Sequence, residues 1–253
     1  MQKLILLCLV LISISGASCA QNDPLAGSQK DGGANQTKMQ VEIWSDIVCP
    51  FSYIGKRKFE QALAQFPQKD KVQIVWKSYQ LDPSAGAEGA DYTKALAKKK
   101  GWTLEQTRQI TSNVTQMATS VGLEYHFEKA ISANSFDAHR FSHFAHQHGL
   151  QDAAEEALFK AHFTEGKNIG DRATLVELGV SIGLDAAALK KMFESQDFAD
   201  AVHLDIEQAR QFQVSGVPFF VFDRKYAISG AQDSAVFLNT LQKALETWEG
   251  SKD

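Results

Sequence analysis

Apolar and polar residues alternate with a period of two over residues 40–45. Val41 and Ile43 fall on one face and Glu42 and Trp44 on the other, which predicts a short strand. A loop, Asp46-Ile47-Val48, leads into Cys49-Pro50. The pattern then turns helical: Ile54, Phe59, Leu63 and Phe66 supply the apolar side of a helix over residues 50–65, and Lys56, Arg57, Lys58 and Glu60 take polar positions. Proline in the first turn costs nothing, because that N–H has no intrahelical partner. Residues 71–79 alternate again, Val72, Ile74 and Trp76 against Gln73, Val75 and Lys77. The body thus opens strand–helix–strand, with Cys49 at the first junction.

From about residue 92 to 211 the pattern is helical, and no strand-like alternation interrupts it. Thr103-Leu104-Glu105-Gln106 reads as a capping box ahead of a helix ending near Gly122. Further helices follow over 136–147, stopped at Gly149, and over 151–165, stopped at Gly166. Asp171 and Asp185 cap two more, and the last runs over 197–212. Strands return at the end. Residues 218–222 are almost all apolar and suit a buried strand. Asp223-Arg224 makes a turn, residues 226–229 form its antiparallel partner, and Ser234 caps a final helix to Trp248. The expected fold class is α/β, a sheet of these strands interrupted by helices inserted over about residues 85–195.

The N-terminus changes the picture. Lys3, an apolar run over 4–14 and the small residues Ser15 to Ser18 form a secretory signal peptide over 1–19. The apolar run is too short to span a membrane stably. Two processing routes stay open: ordinary cleavage after Ala20, or lipidation of Cys19 as in a bacterial lipoprotein, although Gly16 stands where such a site usually has Leu. The Gly-, Asn-, Gln- and Ser-rich stretch over 20–38 reads as a flexible tether, and a tether directly after a cysteine favours the membrane-anchored route. The expected location is the periplasm or the membrane surface of a bacterium. A net charge of −4 offers no basic surplus, so no nucleic-acid partner is expected.

The chain has three cysteines, and Cys8 leaves with the leader. Cys19 is removed or lipidated, so the folded body keeps Cys49 alone. An unpaired thiol in an oxidising compartment is a liability unless it is used or hidden. At the start of a helix, N–H groups and the dipole favour a thiolate, so this placement predicts a lowered pKa and a reactive nucleophile. An inert buried thiol is the competing reading.

Several separated blocks carry a resemblance. They are residues 46–57 around Cys49-Pro50-Phe51-Ser52, then Ser78-Tyr79-Gln80-Leu81, residues 133–140, Phe163-Thr164-Glu165-Gly166, and residues 214–222 with Ser229-Gly230-Ala231-Gln232. Together they resemble the DsbA family of thioredoxin-like proteins, in its FrnE-like branch, over nearly the whole chain beyond the tether. The resemblance implies a thioredoxin fold with an inserted all-helical domain over residues 39–250. It also implies that Cys49 is catalytic and that Pro218 is a cis-proline following Val217. Where that family carries a second cysteine, this chain has Ser52. Without a resolving thiol, Cys49 can still attack a disulfide and hold a mixed disulfide until an outside thiol releases it. The resemblance therefore implies a monothiol thiol–disulfide oxidoreductase or isomerase acting on protein or small-molecule disulfides. No bound cofactor is expected; glutathione or another small thiol would serve as co-substrate. Ser52 would hydrogen-bond the thiolate, Pro50 and Phe51 complete the motif, and Val217-Pro218 would present a backbone edge to substrate. Pairing of two chains through Cys49 stays open. Related kappa-class glutathione transferases and 2-hydroxychromene-2-carboxylate isomerases place serine at the nucleophile position itself, so a glutathione-dependent transferase or isomerase is one alternative. A redox-inactive binding protein is another.

His139, His143 and His146 share one face of the helix over 136–147. Such a face can bind zinc, but no acidic residues stand at the right neighbouring positions, and no metal site is expected. The plainer expectation is that His139 and Arg140 bridge the helical insert to the core or line the active-site groove.

Overall fold

The computed structural model describes residues 37–251. The leader, Cys8, Cys19 and all of the tether except residues 37 and 38 lie outside the described residues.

Strand β1 (Met39–Ser45), helix α1 (Pro50–Gln65) and strand β2 (Val72–Ser78) open the fold. β1 and β2 are parallel, with Ile43 opposite Trp76. Strand β3 (Ala90–Asp91) and helices α2 (Tyr92–Lys100) and α3 (Leu104–Thr119) come next. They are followed by strand β4 (Ile131–Ser132) and helices α4 (Phe136–Gln147), α5 (Gln151–Phe163), α6 (Arg172–Ser181), α7 (Ala186–Glu194) and α8 (Ala199–Gln211). Strands β5 (Phe219–Phe222) and β6 (Tyr226–Ser229) and helix α9 (Ser234–Gly250) close the chain. The main sheet has the order β2-β1-β5-β6, with β5 antiparallel to both its neighbours.

The fold is α/β with a helical insertion, as the pattern implies, and it departs from expectation in two places. β3 and β4 pair within the helical block; two residues each are too few to show a period. Ser234 is the first helical residue of α9, and the N-cap is Asp233. The capping box at Thr103 forms, with Gln106 reaching back to the Thr103 N–H at 2.9 Å. Asp223 and Arg224 both take positive φ, 47° and 52°, at the two central positions of a tight turn closed by the Lys225 N–H on the Phe222 carbonyl at 3.0 Å.

β1 is buried on both faces because each face meets a helix. Val41, Ile43, Phe220 and Phe222 pack with Phe59, Phe237 and Leu241 of α1 and α9, while Trp44 and Val221 pack with Ala209 of α8. The edge strand β2 is covered by side chains from the inserted region. The Gln151 amide takes the Trp76 N–H at 3.2 Å and donates to the Trp76 carbonyl at 3.0 Å, which satisfies an edge that would otherwise invite another strand. A second core is built from α4, α5, α6 and α7, and Ile47 inserts into it. Tyr53 belongs to the first core. Cys49 lies between Ile47 and Tyr53, at the seam of the two cores.

Candidate active site

The turn before α1 is closed by its own backbone and by one carboxylate. The Cys49 N–H donates to the Asp46 carbonyl at 2.9 Å. The Asp46 side chain, fully buried, accepts from the N–H of Val48 at 3.3 Å and of Leu81 at 2.7 Å. It thereby ties the chain leaving β1 to the chain leaving β2. Pro50 takes the first helical position, and Cys49 is the N-cap, although its side chain caps no N–H. The Tyr125 hydroxyl donates to the Pro50 carbonyl at 2.7 Å, so the loop after α3 grips this end of the helix. One turn on, α1 passes close to Pro218. A Cβ at Gly55 would lie 2.8 Å from Pro218 Cγ and 3.4 Å from the Phe220 ring, so only glycine permits this approach.

The Val217–Pro218 peptide is cis. The Cys49 thiol donates to the Val217 carbonyl, with Sγ 3.3 Å from the oxygen. Cys49 is only 4% exposed. The helix-start argument predicts a lowered pKa, and here the structure corrects it: burial pushes the thiol up to about 11. Desolvation outweighs the Ser52 hydroxyl and the N–H groups of Ser52 and Phe51, which favour the thiolate, and the nearby Asp46 carboxylate opposes it further. The dipole is present, but it acts on a group from which water has been removed.

Ser52 is fully buried beside Cys49, and its hydroxyl has no hydrogen-bond partner among the described residues while the thiol proton points to Val217. Its influence on Cys49 is therefore exerted on the thiolate. Phe51 is 39% exposed at the surface of the turn.

His139 is buried against the far side of the same turn. Its Nε2 lies 2.9 Å from the Tyr79 carbonyl and 3.7 Å from Asp46 Oδ1, so it bridges α4 of the insert to the loop beneath Cys49. Its pKa is raised: burial works against the charged form, but Asp46, Glu155 and the Tyr79 carbonyl outweigh it. Arg140 turns the other way and donates to the carbonyls of Met192, Ser195 and Asp197, closing the end of α7. The shared face of the three histidines is dispersed among separate partners. His143 meets Ser78 Oγ at 3.1 Å and Asp205 at 3.0 Å, and His146 meets the Gln151 amide oxygen. Among the described residues no group of His, Cys, Asp and Glu is placed to hold a metal.

Cys49, Pro50, Ser52, Val217, Pro218 and His139 are thus brought to one place, through Asp46 in the case of His139. Sequence reasoning assigned no role to Asp46, Gly55 or Tyr125. The only sign of Asp46 was its place in the block that resembles the family. Nothing in the spacing points to Tyr125, which arrives from the inserted region.

A family model of the DSBA-like thioredoxin domain matches residues 40–242. The chain belongs to this family. The DSBA-like domain superposes on a probable DsbA oxidoreductase from Streptomyces coelicolor with a TM-score of 0.78. The two are 38% identical, over 82% of this chain and 90% of that one. Among curated proteins, YwbO of Bacillus subtilis, itself described as uncharacterized, is 28% identical over 202 residues, which is 79% of this chain and 94% of YwbO. A 2-hydroxychromene-2-carboxylate isomerase matches with a TM-score of 0.63 at 16% identity, covering 85% of this chain and all of that one, a likeness of fold.

Proposed function

We propose that this DSBA-like protein carries out thiol–disulfide exchange as a monothiol, with Cys49 as the nucleophile. One observation carries the reading: the single cysteine among the described residues caps α1 with its sulfur against the Val217 carbonyl, and Ser52 stands where a resolving thiol would be. The 38% identical structure described as a probable DsbA oxidoreductase supports thiol–disulfide chemistry in general. In the first step the Cys49 sulfur attacks a disulfide R–S–S–R′. A Cys49–S–S–R bond forms, the S–S bond of R–S–S–R′ breaks, and R′S⁻ leaves and takes up a proton. An outside thiol, glutathione or a similar small thiol, then attacks the mixed disulfide, leaves with R as a new disulfide and restores Cys49.

The resting thiol is protonated and shielded, so exchange begins when a substrate engages the Val217 carbonyl and opens the seam. This distinguishes Cys49 from an inert core thiol, whose surroundings offer no backbone edge to a partner. We read the protein as FrnE-like and as exported, working in the periplasm or on a membrane through Cys19, on the strength of residues 1–38 and the motif blocks.

Incubating the folded chain with oxidised glutathione at pH 8 and mapping adducts by mass spectrometry tests the reading. A glutathionyl group is expected on Cys49, released by added glutathione. Ser52→Cys is expected to convert the adduct into a disulfide between residues 49 and 52. A folded protein that carries no adduct at Cys49 would overturn the proposal.

A further inference from the structure

His139 is buried against the active-site turn. Its Nε2 is fixed by the Tyr79 carbonyl at 2.9 Å, and the nearest anion is Asp46, 3.7 Å away. Asp46 is fully buried inside the turn whose last residue is Cys49. It is the group whose charge works against a Cys49 thiolate. No lysine or arginine pairs with Asp46 among the described residues. The other ionisable groups that feel this turn are Tyr92 from α2, Tyr125 from the loop after α3, and Glu155 and His162 from α5. Burial holds both tyrosines and Glu155 towards their neutral forms, and it does the same for His162, which it pushes down to about 4. That leaves His139 as the group able to place a positive charge against Asp46.

We propose that His139 is a positioning residue for Cys49: as the imidazolium paired with Asp46, it cancels the carboxylate charge beneath the sulfur and so sets the pH range in which Cys49 becomes a nucleophile. The inference rests on Cys49 being the nucleophile, and it gives the active site an internal regulator. When His139 is protonated, Asp46 is neutralised and the thiolate is opposed by burial alone. As pH rises through the His139 titration, the carboxylate is uncovered and opposes the thiolate as well. The pH profile of Cys49 then rises less steeply than that of a single isolated thiol, because the two titrations work against each other.

The test is the rate of iodoacetamide modification at Cys49, read by peptide mapping between pH 6 and 10. The wild-type chain is compared with His139→Gln, Asp46→Asn and the double variant. His139→Gln is expected to slow modification about tenfold near pH 7, and Asp46→Asn to speed it about tenfold, the size of a nearby like charge gained or lost. The double variant should behave as Asp46→Asn, since His139 acts only through that carboxylate. Wild-type rates in a folded His139→Gln protein, or additive effects in the double variant, would overturn the inference. Should His139→Gln not fold, the His139 titration is followed by NMR in wild type and Asp46→Asn. A midpoint that does not fall on removing the carboxylate overturns it equally. Cys49 that reacts but ignores His139 defeats this inference alone, whereas Cys49 that stays unmodified at every pH in every variant defeats the nucleophile reading itself.

Discussion

Helix α1, with its neighbour α5, holds polar groups that are treated in two opposite ways. Towards its middle, charged and hydroxyl heads find partners across the interface. The Tyr53 hydroxyl donates to Glu156 at 2.6 Å, Arg57 holds both Glu60 and Glu156, and Lys56 faces Glu60, Asp152 and Glu156. Asp152 is held in turn by the Trp76 indole at 3.0 Å. Beside Cys49, and on the sides of α5 that face α4 and α2, buried atoms are without partners among the described residues: Ser52 Oγ, one oxygen of Glu155 and both ring nitrogens of His162. The adjacent residues Glu155 and Glu156 show the contrast within one peptide. Burial raises the first, whereas Arg57, Tyr53 and Lys56 outweigh burial and pull the second down to about 2. Paired groups tie the two helices together; the unpaired ones stay buried, with polarity that is not yet spent. A fold optimised only for stability would have no use for the second kind.

Lys56→Met strikes the paired groups hardest. The Lys56 side chain is 3% exposed and faces three carboxylates. Its loss leaves Asp152 without a cation while Glu60 and Glu156 keep Arg57, and chemical denaturation should show a fall of about 2–3 kcal/mol. If that loss came to less than about 1 kcal/mol, the contrast between the two kinds would dissolve. The unpaired groups are probed by acid. His162 is fully buried and held down to about 4 from an ordinary 6.5. Between those values the unfolded chain binds a proton that the folded chain refuses. His162 thus contributes stability above pH 6.5 that is lost as pH falls to 4, up to about 3 kcal/mol. His162→Phe should flatten this part of the stability–pH curve and leave pH 7 nearly unchanged. The smallest effect is expected from Ser52→Ala. It removes a buried hydroxyl that bonds nothing in the resting state, so stability should hold or rise by about 1 kcal/mol. Exchange through Cys49 should slow at the same time, as stopped-flow reduction of a peptide disulfide would show.

Much of the fold was legible before any coordinates. The strand–helix–strand opening, the long helical block and the closing hairpin all follow from apolar period, Pro50, and the caps at Thr103, Asp171 and Asp185. β3 and β4 were not, because a two-residue strand has no period to read. The site was legible as a set of residues and not as an electrostatic environment. The dipole argument at Cys49 is local and holds for an exposed thiol. Desolvation is set by Ile47 entering one core and Tyr53 the other, which chain neighbours cannot report. The sequence suggests that His139 bridges the insert to the core, but not that the group it meets there is Asp46. Such pairs depend on how the insert docks, which leaves no trace in spacing.

The contact between Gly55 and Pro218 has a consequence for inheritance. A side chain at position 55 is admissible only once the ring at 218 has gone, and the ring can stay only while 55 remains bare. The two positions, far apart in the gene, therefore cannot change in either order: 55 can fill only after 218 has changed. A lineage that abandoned Pro218 would be free to replace the glycine with a better helix former and would gain stability by doing so. Having filled that space, it could not recover the proline by a single substitution. The close approach of helix to loop thus acts as a ratchet that makes loss of this corner easier than its return.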